Sequence, residues 1–171
     1  CMIDHLDKLE QAGITSIKIE GRMKTEYYVA NIVNAYRMAL DYLKNHKEYH
    51  LPQEIRNEVV KCSHRDYSEG FYFGEPKQTL ETSLPLTDYE FVAIVKNDTQ
   101  NGLTQVEMRN RFKVGEQLEL LSKYQNNAIM TIEEILDEQG QPLQECKIPK
   151  QNVYIKTDLN LKKYEILRRK K

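Results

Sequence analysis

The residues that could do chemistry gather in two short stretches. The first is Ile17-Lys18-Ile19-Glu20-Gly21-Arg22-Met23-Lys24. Arg22 carries a planar fork that grips a carboxylate or phosphate through two N–H donors, and Lys24 adds a second cation nearby. Glu20 leaves two readings open with equal weight: a rim that binds an anionic substrate, or carboxylate–cation pairs that close the fold. The second stretch is Cys62-Ser63-His64-Arg65-Asp66-Tyr67. A cysteine and a histidine two apart on extended chain point the same way, as a nucleophile and its base would. Known pairs of that kind are assembled from separated positions with a third orienting group, so the spacing favours packing or hydrogen bonding. The candidate substrate-binding residues are Glu20, Arg22, Lys24, His64 and Arg65, and no catalytic residue is assigned.

Other chemistries find little support. His5, His46 and His50 lack metal-ligand spacing. No G-x-S-x-G, S-x-x-K, Walker or dinucleotide-binding glycine pattern occurs, so a self-contained hydrolase is not supported.

The elements that must position these stretches follow from periodicity. Ile3, Leu6, Leu9 and Ala12 recur at helical spacing, and Gly13 supplies the left-handed residue that ends a helix. Ile14 to Ile19 is predicted to be a buried strand interrupted at Gly21. From Thr25, a plausible cap, Tyr28, Val29, Ile32, Val33, Tyr36, Ala39, Leu40 and Leu43 keep one helix face apolar. Helix, strand, long helix is the repeat of a parallel sheet, so Arg22 and Lys24 fall at the strand-to-helix edge where such folds bind ligands. The free amides and positive dipole end of the following helix would add to an anion site there. One strand cannot form a sheet, and its partners are expected upstream of Cys1.

Residues 46–85 hold Pro52, Pro76 and Pro85, a short helix near Gln53 to Val60, and Gly70-Phe71-Tyr72-Phe73-Gly74. They read as an ordered connector whose aromatics dock on the preceding domain. Beyond Pro85 the period becomes two, over Tyr89–Lys96, Leu103–Arg109, Gln117–Leu121, Ala128–Leu136, Val153–Thr157 and Tyr164–Leu167. Turn signals separate the runs at Asn101-Gly102, Val114-Gly115 and Gln139-Gly140. A small closed antiparallel barrel is predicted, with Phe91, Ala93, Val95, Val106, Leu118, Leu120, Ile132, Val153 and Ile155 in its core.

Whole-chain properties bound the rest. The 171 residues, 40% of them apolar, suffice for one domain or for a partial domain plus a small one. A net charge of −1 gives no global attraction to nucleic acid or anionic lipid. The one basic cluster, Lys162, Lys163, Arg168, Arg169, Lys170 and Lys171, reads as a solvated tail. Three scattered cysteines argue against a disulfide scaffold, and no apolar run is long enough to span a membrane. A reducing, cytoplasmic setting and no membrane partner are expected.

Cys1 with its helix, Gly13 through Lys24, Tyr28-Val29-Ala30, Tyr36-Arg37 and Ala39-Leu40-Asp41 together resemble the signature of the collagenase-like peptidase family U32. Ser63-His64-Arg65, Tyr67 and Gly70 through Gly74 resemble the family's next block; Phe112, Val114-Gly115-Glu116, Asp137-Glu138, Gly140 and Leu167-Arg168-Arg169 resemble its C-terminal domain. The resemblance implies an α+β chain: the C-terminal strand and helices of a TIM-like α/β barrel in residues 1–50, a connector in 51–85, and a small β-barrel like those of translation factors in 86–171. It implies that the chain is the C-terminal piece of a longer protein. Family members were first described as peptidases, whereas better-understood relatives hydroxylate the wobble uridine of tRNA by prephenate-dependent chemistry with an iron–sulfur cluster on four cysteines. Cys1 matches the last of the four, so no cluster is expected from this piece alone. The implied partners are the upstream barrel domain and tRNA. The uncovered barrel edge is a candidate surface for homo-oligomers, and a non-catalytic interaction module stays open as an alternative for the piece by itself.

Overall fold

The structure, a computed structural model, describes residues 1–76, 85–123 and 127–171. The connector expected over 51–85 lies outside the described residues at 77–84. The chain divides into two compact units, Cys1–Asp88 and Tyr89–Lys171.

The first unit is helical. A 3-10 turn at Ile3–His5 leads into α1 (Leu6–Gln11), with Ile3 and Leu6 buried. Gly13, at φ +78°, ends it: its N–H bonds Glu10 O at 2.9 Å and the Ile14 N–H bonds Leu9 O at 3.0 Å, the paired bonds of a left-handed helix stop. Helix α2 (Glu26–Asn45) starts at the predicted cap, where Thr25 Oγ1 accepts the Tyr28 N–H. It buries Tyr27, Asn31, Ile32, Ala35 and Ala39, one stripe at helical spacing. Helix α3 (Gln53–Glu58) runs into a 3-10 turn, Val59–Lys61. Asn31 Nδ2 donates to Glu58 O at 2.6 Å, tying α2 to α3 through a buried hydrogen bond.

Two expectations are not met among the described residues of this unit. Ile14 to Ile19 is not a strand: the segment has no ladder, and Ile14 and Ile17 are 51% and 40% exposed. A strand exists through hydrogen bonds to a neighbour, and no described residue supplies them. The aromatics of Gly70–Gly74 are also largely uncovered. Phe71 is 81% exposed, while the Phe73 ring lies 4.4 Å from that of His5 and 4.5 Å from Lys8 Nζ.

The second unit is a closed antiparallel barrel. Its strands are β1 (Tyr89–Val95), β2 (Thr104–Met108), β3 (Phe112–Lys113), β4 (Gln117–Leu121), β5 (Ile129–Leu136), β6 (Pro142–Leu143), β7 (Glu145–Cys146), β8 (Asn152–Thr157) and β9 (Ile166–Lys170). Six of them run around the barrel as β4-β9-β1-β2-β8-β5, and a β5–β4 pairing closes the ring. β6 adds to β5, and β3 pairs with β7 in a separate ribbon. Period-two patterning and the turn glycines account for this. Asn101 and Gly102 have φ of +51° and +80°, both positive as a two-residue hairpin requires.

Every predicted core residue is buried except Phe91. A bulge between Phe91 and Ala93 breaks the alternation of β1, so Val92 and Ala93 both turn inward and Phe91 is displaced. The C-terminal residues are not a solvated tail. Arg168 is fully buried on β9 and donates Nε to Glu119 Oε1 at 3.0 Å, while Arg169 pairs with Glu90 and Glu116. Carboxylates on neighbouring strands, invisible to a count of local charges, make these arginines part of the wall.

Candidate functional site

Helix α2 places Tyr28, Ile32 and Tyr36 one turn apart on a single line. This line, with the extended Ile17 to Ile19, Cys1 and Tyr67, walls a cavity of about 200 Å³. Tyr36 Oη accepts the Met2 N–H at 3.1 Å and lies 3.6 Å from Cys1 Sγ. Tyr67 Oη donates to Val59 O at 2.8 Å, and its ring stacks on His64 with centroids 5.0 Å apart and planes 6° from parallel. Burial pushes the Tyr36 phenol up, against a lesser opposing pull from the Met2 amide, and burial likewise raises Tyr67. Both are neutral at pH 7, suited to hydrogen-bond or stack on a ligand and unsuited to act as phenolates. A second cavity, about 310 Å³, also borders Cys1 and Tyr67, with Arg56, Glu69 and Phe73 in its wall. Arg56 there pairs with Asp4 at 2.7 Å, and His5 with Glu69 at 2.7 Å.

The two chemistry-bearing stretches meet. Lys24 Nζ donates to Ser63 O at 3.2 Å and lies 5.1 Å from the Tyr28 ring centroid. Glu20 turns back on its own loop, accepting the Arg22 N–H at 3.0 Å and pairing with Lys18 at 3.6 Å. Arg22 and Arg65 are exposed, and their guanidinium groups have no carboxylate partner among the described residues. His64 Nδ1 donates to Cys62 O at 2.8 Å, and the buried Cys62 Sγ donates to Val59 O at 3.6 Å. Thiol and imidazole are thus each tied to backbone, which matches hydrogen bonding and not a nucleophile–base pair. Sequence reasoning missed the tyrosines as site residues. The signal was the 28, 32, 36 spacing, which also fits a plain apolar face.

An iron–sulfur cluster needs several thiolates on one side of a cavity. Cys62 is turned into the helical unit and Cys146 sits in the barrel core, its thiol pushed up to about 11 by burial. Among the described residues no three of His, Cys, Asp or Glu converge as metal ligands. Cys1 lines both cavities.

Residues 1–82 match the model of peptidase family U32, and residues 87–168 match that of the peptidase family U32 C-terminal domain. The chain belongs to peptidase family U32. It is 34% identical over 175 residues to the tRNA hydroxylation protein P1 of Bacillus subtilis, an alignment covering 99% of this chain and 42% of that protein. It is 30% identical over 145 residues to the tRNA hydroxylation protein P of Escherichia coli, covering 82% of this chain and 31% of that protein. The chain therefore spans well under half the length of both relatives. Among solved structures, the C-terminal domain of a Geobacillus thermoleovorans U32-family protein aligns at 31% identity. That alignment covers 47% of this chain and 99% of that one, with a TM-score of 0.44.

Proposed function

We propose that this U32 chain is the C-terminal part of a protein that hydroxylates tRNA. The observation that carries the reading is the 34% identity to a tRNA hydroxylation protein along 99% of the chain. In the whole protein the helical unit closes an upstream TIM-like barrel, with Ile14 to Ile19 as a strand of it and the exposed Val29 and Val33 of α2 facing that barrel. Cys1 serves as one ligand of a cluster whose other cysteines lie upstream. Lys24, the tyrosine-lined cavity and Arg22 then sit at the substrate rim, where the wobble uridine and a prephenate-derived anion are the ligands. The protein works in the cytoplasm with tRNA as partner. Without the upstream barrel the same face favours homo-oligomers.

The peptidase reading is the weaker one, because the single cysteine–histidine pair is tied to backbone carbonyls. The test is complementation. The full-length protein is expressed in a strain lacking its own tRNA hydroxylation protein, and hydroxylated uridine is measured in digested tRNA by mass spectrometry. Restored hydroxylation, lost in a full-length Cys1→Ala variant, is the expected result. A stable protein that restores none and cleaves gelatin overturns the proposal.

A further inference from the structure

Between β8 and β9 the chain turns through Lys162-Lys163-Tyr164-Glu165, and Tyr164 has φ +74°. A left-handed backbone is costly for a bulky side chain and natural for glycine, so something must hold the turn in place. Five consecutive amides do. Leu161 N–H bonds Thr99 Oγ1 at 2.7 Å, Lys162 N–H bonds Glu165 Oε2 at 2.7 Å and Lys163 N–H bonds Asp98 Oδ1 at 2.8 Å. Tyr164 N–H bonds Val95 O at 2.9 Å, and Glu165 N–H bonds Lys162 O at 3.1 Å. The buried Glu165 is also bonded by Ser122 Oγ from the end of β4.

This scaffold leaves Tyr164 largely in solvent: the residue is 72% exposed, with Lys163 Nζ 5.0 Å from the ring centroid. The nearby carboxylates are already used. Asp98 takes the Lys163 amide and, at 3.2 Å, the Lys162 ammonium, while Glu165 lies inside. Lys163 makes no ion pair among the described residues. The adjoining loop residues Asn97, Asn101 and Asn160 are polar and exposed, so the ring stands alone without a greasy groove for a peptide side chain.

A solvent-facing aromatic on a braced turn, beside the Lys163 ammonium, suits an unpaired base and its flanking phosphate. We infer that Tyr164 is a stacking platform for an unstacked nucleotide of single-stranded RNA, with Lys163 contacting the adjacent phosphate. The inference deepens the tRNA reading and rests on it for the choice of RNA. A local device of this kind fits a chain with no global basic field, because stacking contributes where net charge does not.

The test is fluorescence anisotropy of a labelled tRNA stem-loop with the 171-residue chain. Tyr164→Gly removes the ring and relieves the backbone, so weaker binding cannot be put down to unfolding. It is expected to raise Kd by roughly 5- to 100-fold, the range for loss of one base–aromatic stack. Tyr164→Phe is expected to bind within about twofold of the parent chain, and Lys163→Gln to lower the salt slope by about one. In the full-length protein, Tyr164→Gly should raise KM for tRNA and leave kcat unchanged. Unaltered stem-loop affinity in Tyr164→Gly overturns the platform while hydroxylation by the full-length protein leaves the tRNA reading standing. No RNA binding by the parent chain, or preferential binding of an acidic peptide, also overturns it.

Discussion

Replacing Glu119 by alanine strands the guanidinium of Arg168, a side chain with no exposure, bonded to Glu119 at Nε and to Asn127 Oδ1 at 2.8 Å through its terminal nitrogen. Breaking one partner of such a buried pair costs about 3–5 kcal/mol, because the remaining charge keeps its desolvation penalty and loses its counter-ion. A unit of about 80 residues has a total stability of about 4–12 kcal/mol, so this loss leaves little or nothing. At roughly 4–8 °C per kcal/mol for a domain of this size, the barrel transition is expected to fall by roughly 12–40 °C. Removing both charges in Glu119→Leu/Arg168→Met exchanges the pair for packed apolar groups, and such swaps are often neutral or stabilising by about 1–4 kcal/mol. Urea denaturation of the 171-residue chain, followed by far-ultraviolet circular dichroism, measures both variants, with the single Glu119→Leu and Arg168→Met changes completing a double-mutant cycle. A Glu119→Ala loss below about 1 kcal/mol would show that the pair is solvated as surface pairs are, and would refute the reasoning. So would a double variant no better than the singles.

Gly102→Ala keeps the hairpin fold but forces a side chain into φ +80°, and is expected to cost about 1–2 kcal/mol in the same denaturation assay. The Asp98 carboxyl is held below the usual carboxylate range, first by the Lys163 amide and then by the Lys162 side chain. A depressed carboxylate stabilises the fold above its unfolded value and loses that contribution as pH falls through the folded one. The 162–165 turn should therefore loosen below about pH 4, read as faster exchange of the Lys163 amide, and Asp98→Asn should abolish that pH dependence. With Cys62 and Cys146 fully buried and Cys146 raised by burial, an exposed-thiol reagent at pH 8 is expected to label Cys1 alone in the native chain and all three cysteines after denaturation.

The barrel was legible because its determinants are local: alternation along each run, and a residue such as Gly102 where the backbone must turn left-handed. What alternation cannot reveal is a change of phase, and the bulge beside Phe91 is one, caused by two-against-one pairing with β9. The Arg168–Glu119 pair was hidden for a related reason, since its partners lie 49 positions apart and meet only when β9 pairs with β4. In the helical unit the capped α2 was readable from Thr25 and its apolar stripe. The Ile14 to Ile19 segment was not, because β-branched residues state a preference and only a neighbouring strand realises it. At the site, residue types located the two stretches, but the contact of Lys24 with Ser63 depends on α2 and the α3 exit lying side by side.

The two ends of the barrel sequence are register partners: Tyr89 on the first strand sits opposite Lys170 on the last. A pull applied between them would open the β1–β9 ladder one pair at a time, a zipper, and not shear many bonds at once. Mechanically this makes the seam the weak line of an otherwise edgeless ring. The same proximity makes the barrel a natural candidate for circular permutation. A short glycine-rich link from Lys170 to Tyr89 would replace the pull by a covalent closure, and new ends could be cut at the exposed Gln139-Gly140 turn, where Asp137 already collects the local amides. Such a rewired barrel should keep its strand order and lose the seam through which force enters.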